Sequence, residues 1–122
     1  MSNKKNTLVL GASEKQDRYS NIAVLRLLSA DIPVYAVGFR EGNIKNVQIK
    51  TVFPTDMEIH TVTLYLSAKN QKQYYEDIIK LRPERVIFNP GTYNNELESL
   101  LKRNNISFES ACTLVMLSAG NY

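Results

Sequence analysis

The chain is short of the residues that usually carry chemistry. Its 122 residues include one histidine, His60, and one cysteine, Cys112. A single cysteine excludes an internal disulfide and accords with a reducing cytosol. One His and one Cys fall short of a metal-ligand set. The five glycines form no GxGxxG, so the dinucleotide fingerprint is missing. No apolar run approaches the roughly 20 residues of a membrane span, and the polar stretch from Met1 to Asn6 does not read as a signal peptide. The expectation is a cytoplasmic protein with no membrane partner.

The net charge of +3 is a mild basic excess, and its lysines and arginines are scattered, as at Lys45, Lys50, Lys69, Lys72 and Lys102-Arg103. A nucleic-acid partner would call for a dense basic stretch; a modest positive bias suits an anionic small ligand. The acids Asp56, Glu76, Asp77, Glu84, Glu96 and Glu98 are dispersed, with no spacing that suggests an acid/base pair. His60, beside Met57-Glu58-Ile59, reads as an ordinary surface residue of a connection. Cys112, between Ala111 and Thr113, reads as a buried inert thiol with no partner base. No catalytic residue is assigned.

What the chain does have is a regular alternation of strand-like and helix-like pieces, with no repeat and no linker. That argues for one α/β domain over residues 1–122, with a doubly wound, mostly parallel sheet of about five strands. Strands are expected at Thr7–Leu10, Pro33–Val37, Val62–Leu66, Arg85–Phe88 and Asn105–Phe108, with a short one possible at Ile49–Phe53. Helices are expected at Asn21–Ala30, Gln71–Leu81 and Asn94–Arg103, where apolar residues recur at helical spacing. Tyr19-Ser20 stands where a serine can cap the first helix, and Ala111–Ser118 reads as a helix or buried segment.

Three turns at strand C-termini would meet in the crevice where such sheets bind ligands. Gly11-Ala12-Ser13 follows the first strand; a glycine there lets backbone approach a pyrophosphate, and Arg18-Tyr19-Ser20 opens the following helix. The alternative is a plain tight turn. Gly38-Phe39-Arg40 follows the second strand. An NAD site favours an acid here; Arg40 suits a phosphate on the ribose, or is a solvated surface residue, and Glu41 keeps the NAD reading open. Leu66-Ser67 and Asn89-Pro90-Gly91 would wall a flat base, or simply end their strands.

Taken in order, Gly11-Ala12-Ser13, Arg18-Tyr19-Ser20 with Ala23, Asn89-Pro90-Gly91 and Ala111-Cys112-Thr113-Leu114-Val115-Met116-Leu117 resemble the stand-alone CoA-binding domain proteins. These are similar to the N-terminal domain of the succinyl-CoA synthetase α subunit. The resemblance spans nearly the whole chain, from about Asn6 to Leu117. It implies a Rossmann-like fold and coenzyme A, or an acyl-CoA, bound across the strand C-termini. By position, Gly11, Ala12 and Ser13 would hold the pyrophosphate with the helix start at Arg18, Tyr19 and Ser20. Arg40, with Gly38 and Phe39, would lie near the nucleotide phosphates. Leu66 and Ser67 would sit beside the adenine, and Asn89, Pro90 and Gly91 would close the other wall. The chain departs from the family in having Gly38-Phe39 where Asn-Pro is usual and Asp31 where a glycine is usual. It lacks the phosphohistidine segment of the synthetases, so no independent ligase activity is expected.

Three functions follow: a CoA-binding module without catalysis of its own, an NAD(P)-binding oxidoreductase or redox-sensing module, and a non-catalytic interaction subunit of an acyl-CoA enzyme. A protein partner or homo-oligomer fits each of them.

Overall fold

In the structure, a computed structural model describing residues 5–122, the sheet is built outward from an apolar central strand. Strand β1 (Thr7–Leu10) is buried along its whole length, as a strand covered on both faces must be. It pairs in parallel with β2 (Val34–Val37) on one side and β5 (Thr61–Leu64) on the other. Beyond β5 lie β6 (Arg85–Phe88) and β7 (Ser107–Ser110), both parallel. Beyond β2 lies β4 (Val47–Lys50), also parallel, and then the antiparallel edge strand β3 (Gly42–Ile44). The order β3-β4-β2-β1-β5-β6-β7 changes direction at β1, which opens a crevice above the C-terminal ends of β1 and its neighbours.

The sheet therefore has seven strands among the described residues, not about five. The difference is largely the β3–β4 hairpin, in residues that read as irregular. Ile44 pairs with Val47 across a two-residue turn of Lys45 and Asn46, and Lys45 sits at φ +53°. Such turns demand positive φ and normally announce themselves by Asn-Gly or Asp-Gly; Lys-Asn carries no such signal.

Successive residues of each strand point to opposite faces, and two apolar clusters result. Leu8, Leu10, Val62, Leu64, Val86 and Phe88 pack with Tyr74, Ile78, Leu97 and Leu101. Val9, Ala36 and Ile49 pack with Val24 and Leu27 on the other face. Helix α1 (Tyr19–Ser29) and α5 (Thr113–Ala119) contribute to this second layer. The first is covered by α3 (Tyr75–Leu81) and α4 (Asn95–Arg103), with the short α2 (Ala68–Gln71) ahead of α3. What reads as one helix over Gln71–Leu81 is α2, a 3-10 turn over Lys72–Tyr74 and α3. Gln71 at the end of α2 and Tyr74 at the end of the tightened turn, three residues apart, are both buried.

Of the helices α1 to α5 only α4 has a side-chain N-cap. The Asn94 side chain caps α4 by accepting from Leu97 N–H at 3.1 Å. Helix α1 has Arg18 at its N-cap and no side-chain cap, so Ser20 does not cap it. Asp31 and Asn105 take the left-handed position after α1 and α4, at φ +59° and +58°. There the N–H groups of Ile32 and Ile106 reach back to the carbonyls of Leu27 and Leu101, in the turn that glycine usually occupies. No helix among the described residues is long and apolar enough to cross a membrane.

Candidate functional site

A crevice of about 570 Å³ lies above the C-terminal ends of β1, β2, β5 and β6. The structure brings Gly11, Ala12, Ser13, Arg18, Tyr19, Ser20, Phe39, Arg40, Leu66, Ser67, Pro90 and Gly91 to its walls. Gly38 and Asn89 are not among the lining residues, and each is buried behind the wall. Glu14, Lys15, Tyr65 and Thr92 line it as well and were not picked out by the sequence reading, and Glu41 joins them.

The glycine turn is built differently from the simple expectation. The N–H groups of Gly11 and Ala12 both donate to the Val37 carbonyl, at 2.8 and 2.9 Å. They are thus engaged in joining β1 to β2. Donors for an anion would come from Ser13 onward and from the first turn of α1, where helix N–H groups precede the first intrahelical acceptors. The need for glycine is also internal. Gly11 has φ +101°, and a Cβ on it would meet the Tyr65 carbonyl carbon and oxygen at 2.9 Å. A Cβ on Gly38 would meet the Ala12 carbonyl oxygen at 2.2 Å. Both glycines let three strand ends converge. Gly91 differs: at φ +88° it has nothing within 4 Å of a would-be Cβ, so only its backbone conformation favours glycine.

The turn is held from below and from the side. Asn21, buried in α1, donates from Nδ2 to the Ser13 carbonyl at 2.9 Å. Glu14 accepts from the Asn43 N–H at 2.8 Å, tying the turn to β3. One of the crevice's two carboxylates is thereby occupied. Lys15, Arg18 and Arg40 are exposed around the opening, which gives it an anion-attracting rim. Two exposed aromatics stand there too, Tyr19 at 71% and Phe39 at 60% exposure.

The floor is a buried polar network. Asn89 donates from Nδ2 to Thr63 Oγ1 at 2.7 Å and to the Leu64 carbonyl at 2.8 Å, and its Oδ1 accepts from Thr113 N–H at 2.9 Å. The Thr63 and Thr113 hydroxyls meet at 2.8 Å. The Asn89 side chain thus points down, joining the ends of β5 and β6 to the start of α5, and the exposed Pro90 and Gly91 form the wall. Tyr65 stands over this network. Burial pushes its phenol up to about 12, outweighing the hydroxyls of Thr113 and Thr63 that favour its ionised form.

The remaining candidates lie elsewhere. His60 precedes β5, at the opposite end of the sheet, and is not an ordinary surface residue. It is partly buried, with Nδ1 2.7 Å from Thr61 Oγ1 and Nε2 3.1 Å from Glu84. Arg85 donates from Nε to that same Thr61 oxygen at 2.8 Å, so one hydroxyl joins the histidine to the arginine. Burial lowers the His60 pKa and prevails over Glu84, because that carboxylate is largely exposed and screened by water. Cys112 is half-buried at the N-cap of α5, more accessible than the buried thiol expected.

A family model described as a CoA binding domain matches residues 5–118. A solved structure of an uncharacterized protein is 43% identical, with a TM-score of 0.94, and the match covers 99% of this chain and 100% of that one. A hypothetical protein from Pyrococcus horikoshii OT3 is 24% identical with a TM-score of 0.87, over 96% of this chain and 84% of that one. A protein from Thermus thermophilus is 17% identical with a TM-score of 0.86, over 98% and 91%. These last two establish shared fold only. No curated protein matches the chain.

Proposed function

Because the chain belongs to the CoA binding domain family, we propose that its crevice binds coenzyme A or an acyl-CoA and that the protein performs no catalysis of its own. The observation that carries this is the coincidence of the ligand-sized crevice at the strand switch point with a cationic rim of Lys15, Arg18 and Arg40. The pyrophosphate lies against Ser13 and the first turn of α1, where the helix dipole favours negative charge. Lys15 and Arg18 flank it. Arg40 pairs with the ribose phosphate, for which its planar fork is suited. The adenine enters between Leu66-Ser67 and Pro90-Gly91, with Phe39 offering an additional aromatic face. Phe39 stands where the family usually has proline, so the apolar contact is kept in a larger form.

Glu41, also at the crevice, supports the NAD(P) reading in one respect, since an acid beyond the second strand can take ribose hydroxyls. Calorimetric titration of ligand-free protein with CoA, NAD and NADP in parallel separates the two. CoA binding alone is expected. Binding of NAD alone overturns the proposal, and binding of none transfers the function to an interaction subunit.

A further inference from the structure

Gln71 is the only fully buried amide side chain among the largest buried groups of the described residues. It sits at the last position of α2, immediately before the 3-10 turn. Its Nε2 donates to two carbonyls, Leu66 at 2.8 Å and Thr92 at 2.7 Å. Those carbonyls belong to the loops after β5 and β6, the two facing walls of the crevice. Its Oε1 accepts from Asn94 Nδ2 at 2.9 Å.

The orientation of this chain of amides is forced. Asn94 caps α4 with its Oδ1, which accepts from a backbone N–H. Its Nδ2 must then face Gln71 Oε1, and the same Nδ2 also donates to the Tyr75 hydroxyl at 2.8 Å. Gln71 therefore presents Oε1 to Asn94 and both N–H donors to the two loops. Every polar atom of the Gln71 side chain is used, and no shorter or apolar side chain supplies both donors. A buried, fully satisfied network of this kind has one low-energy geometry, so it sets the distance between the walls.

We infer that Gln71 is a positioning residue that fixes the spacing between Leu66-Ser67 and Pro90-Gly91-Thr92, and so selects a flat base over other ligand parts. The inference rests on the reading that adenine occupies this slot. Gln71 touches no ligand itself; it acts through the two carbonyls. Gln71→Met removes both donors at similar volume and leaves both loops free to separate. Gln71→Glu keeps the shape but turns an acceptor toward the carbonyls whenever the carboxyl is ionised.

The test compares CoA with 4′-phosphopantetheine, which lacks the base, on wild type and variants by calorimetry. CoA affinity is expected to fall at least about tenfold in Gln71→Met while that of 4′-phosphopantetheine changes less than about twofold, a difference of roughly 1 kcal/mol between ligands. In Gln71→Glu, CoA affinity is expected to weaken as pH rises and the carboxyl ionises, a dependence absent from wild type. Equal losses for both ligands mean a general structural role and overturn the inference, as does unchanged CoA affinity in a folded variant. Wild-type protein that binds no CoA overturns the proposed function instead. If the variants fail to fold, the wild-type Gln71 side-chain amide signals decide: they are expected to shift in NMR spectra with CoA and not with 4′-phosphopantetheine, and signals unmoved by bound CoA overturn the assignment.

Discussion

Replacing Gly11 by alanine is expected to unfold much of the protein's stability margin, and the structure lets the cost be divided. At φ +101° an L-residue is held in a sparsely populated region, at a cost of about 1–3 kcal/mol. The new methyl would also stand 2.9 Å from both atoms of the Tyr65 carbonyl and 3.0 Å from Leu66 Cδ2. Tyr65 cannot retreat freely, because its N–H is bonded to the Leu10 carbonyl at 2.8 Å. Forcing backbone apart in a packed interior adds about 1–3 kcal/mol. The sum, roughly 2–6 kcal/mol, is a large share of the total for a small domain, which is commonly about 5–15 kcal/mol. Gly91 is the internal control. Its φ of +88° carries a similar backbone penalty, but a Cβ there meets nothing within 4 Å. Urea unfolding followed by far-UV circular dichroism measures both. With a slope of about 1–3 kcal/mol per molar, Gly11→Ala is expected to lower the midpoint by about 1 M or more, and Gly91→Ala by clearly less. Equal midpoints for the two variants would refute the close approach of β1 and β5 as the reason for this glycine. So would a Gly11→Ala protein as stable as wild type.

Asp31→Gly is expected to stabilise the protein by about 0.5–1 kcal/mol, because it relieves a left-handed aspartate and loses little else; a lower thermal midpoint would count against this. Arg40→Ala should weaken CoA by about tenfold and dephospho-CoA far less, as expected for one charge-assisted pair to the ribose phosphate; equal losses in calorimetry would remove that role. The raised pKa of Tyr65 makes its contribution intact below pH 10 and lost as pH rises toward 12. Stability measured across that window should fall more gently in Tyr65→Phe than in wild type, and parallel slopes would contradict the burial of the phenol. His60 has the opposite sense: its lowered pKa means a contribution complete above pH 6.5 and lost as pH falls through the folded value. An NMR titration midpoint at or above 6.5 would show that Glu84 outweighs burial.

The order of elements was legible because strand and helix periodicities alternate along the chain. The crevice was legible because ligand sites of such sheets lie at strand C-termini. Most residues expected there do line it. The roles of the glycines were not legible. Gly11 reads as a close approach for a pyrophosphate and Gly38 as a residue near the phosphates, yet each is also required by a carbonyl from another part of the chain, Tyr65 in one case and Ala12 in the other. Asn89 reads as a wall residue and is a buried strut, because whether its side chain points out or in depends on Thr63 and Thr113. The β3–β4 hairpin was missed for a local reason, a left-handed lysine that carries no turn signature.

Gln71 marks the boundary most clearly. Its neighbours in sequence are polar and helical, and nothing in that stretch distinguishes it from Gln73, which is exposed. Its partners are 5, 21 and 23 residues away. The sequence by itself determined the mostly parallel α/β sheet, since short apolar runs and helical spacing act over a few residues. It also determined the position of the crevice, which follows from strand order. Only the tertiary structure decided which polar side chains face the crevice and which are buried to hold it open. That choice is made by hydrogen-bond partners far along the chain, and burial without a partner costs more than the amide would gain from any local contact.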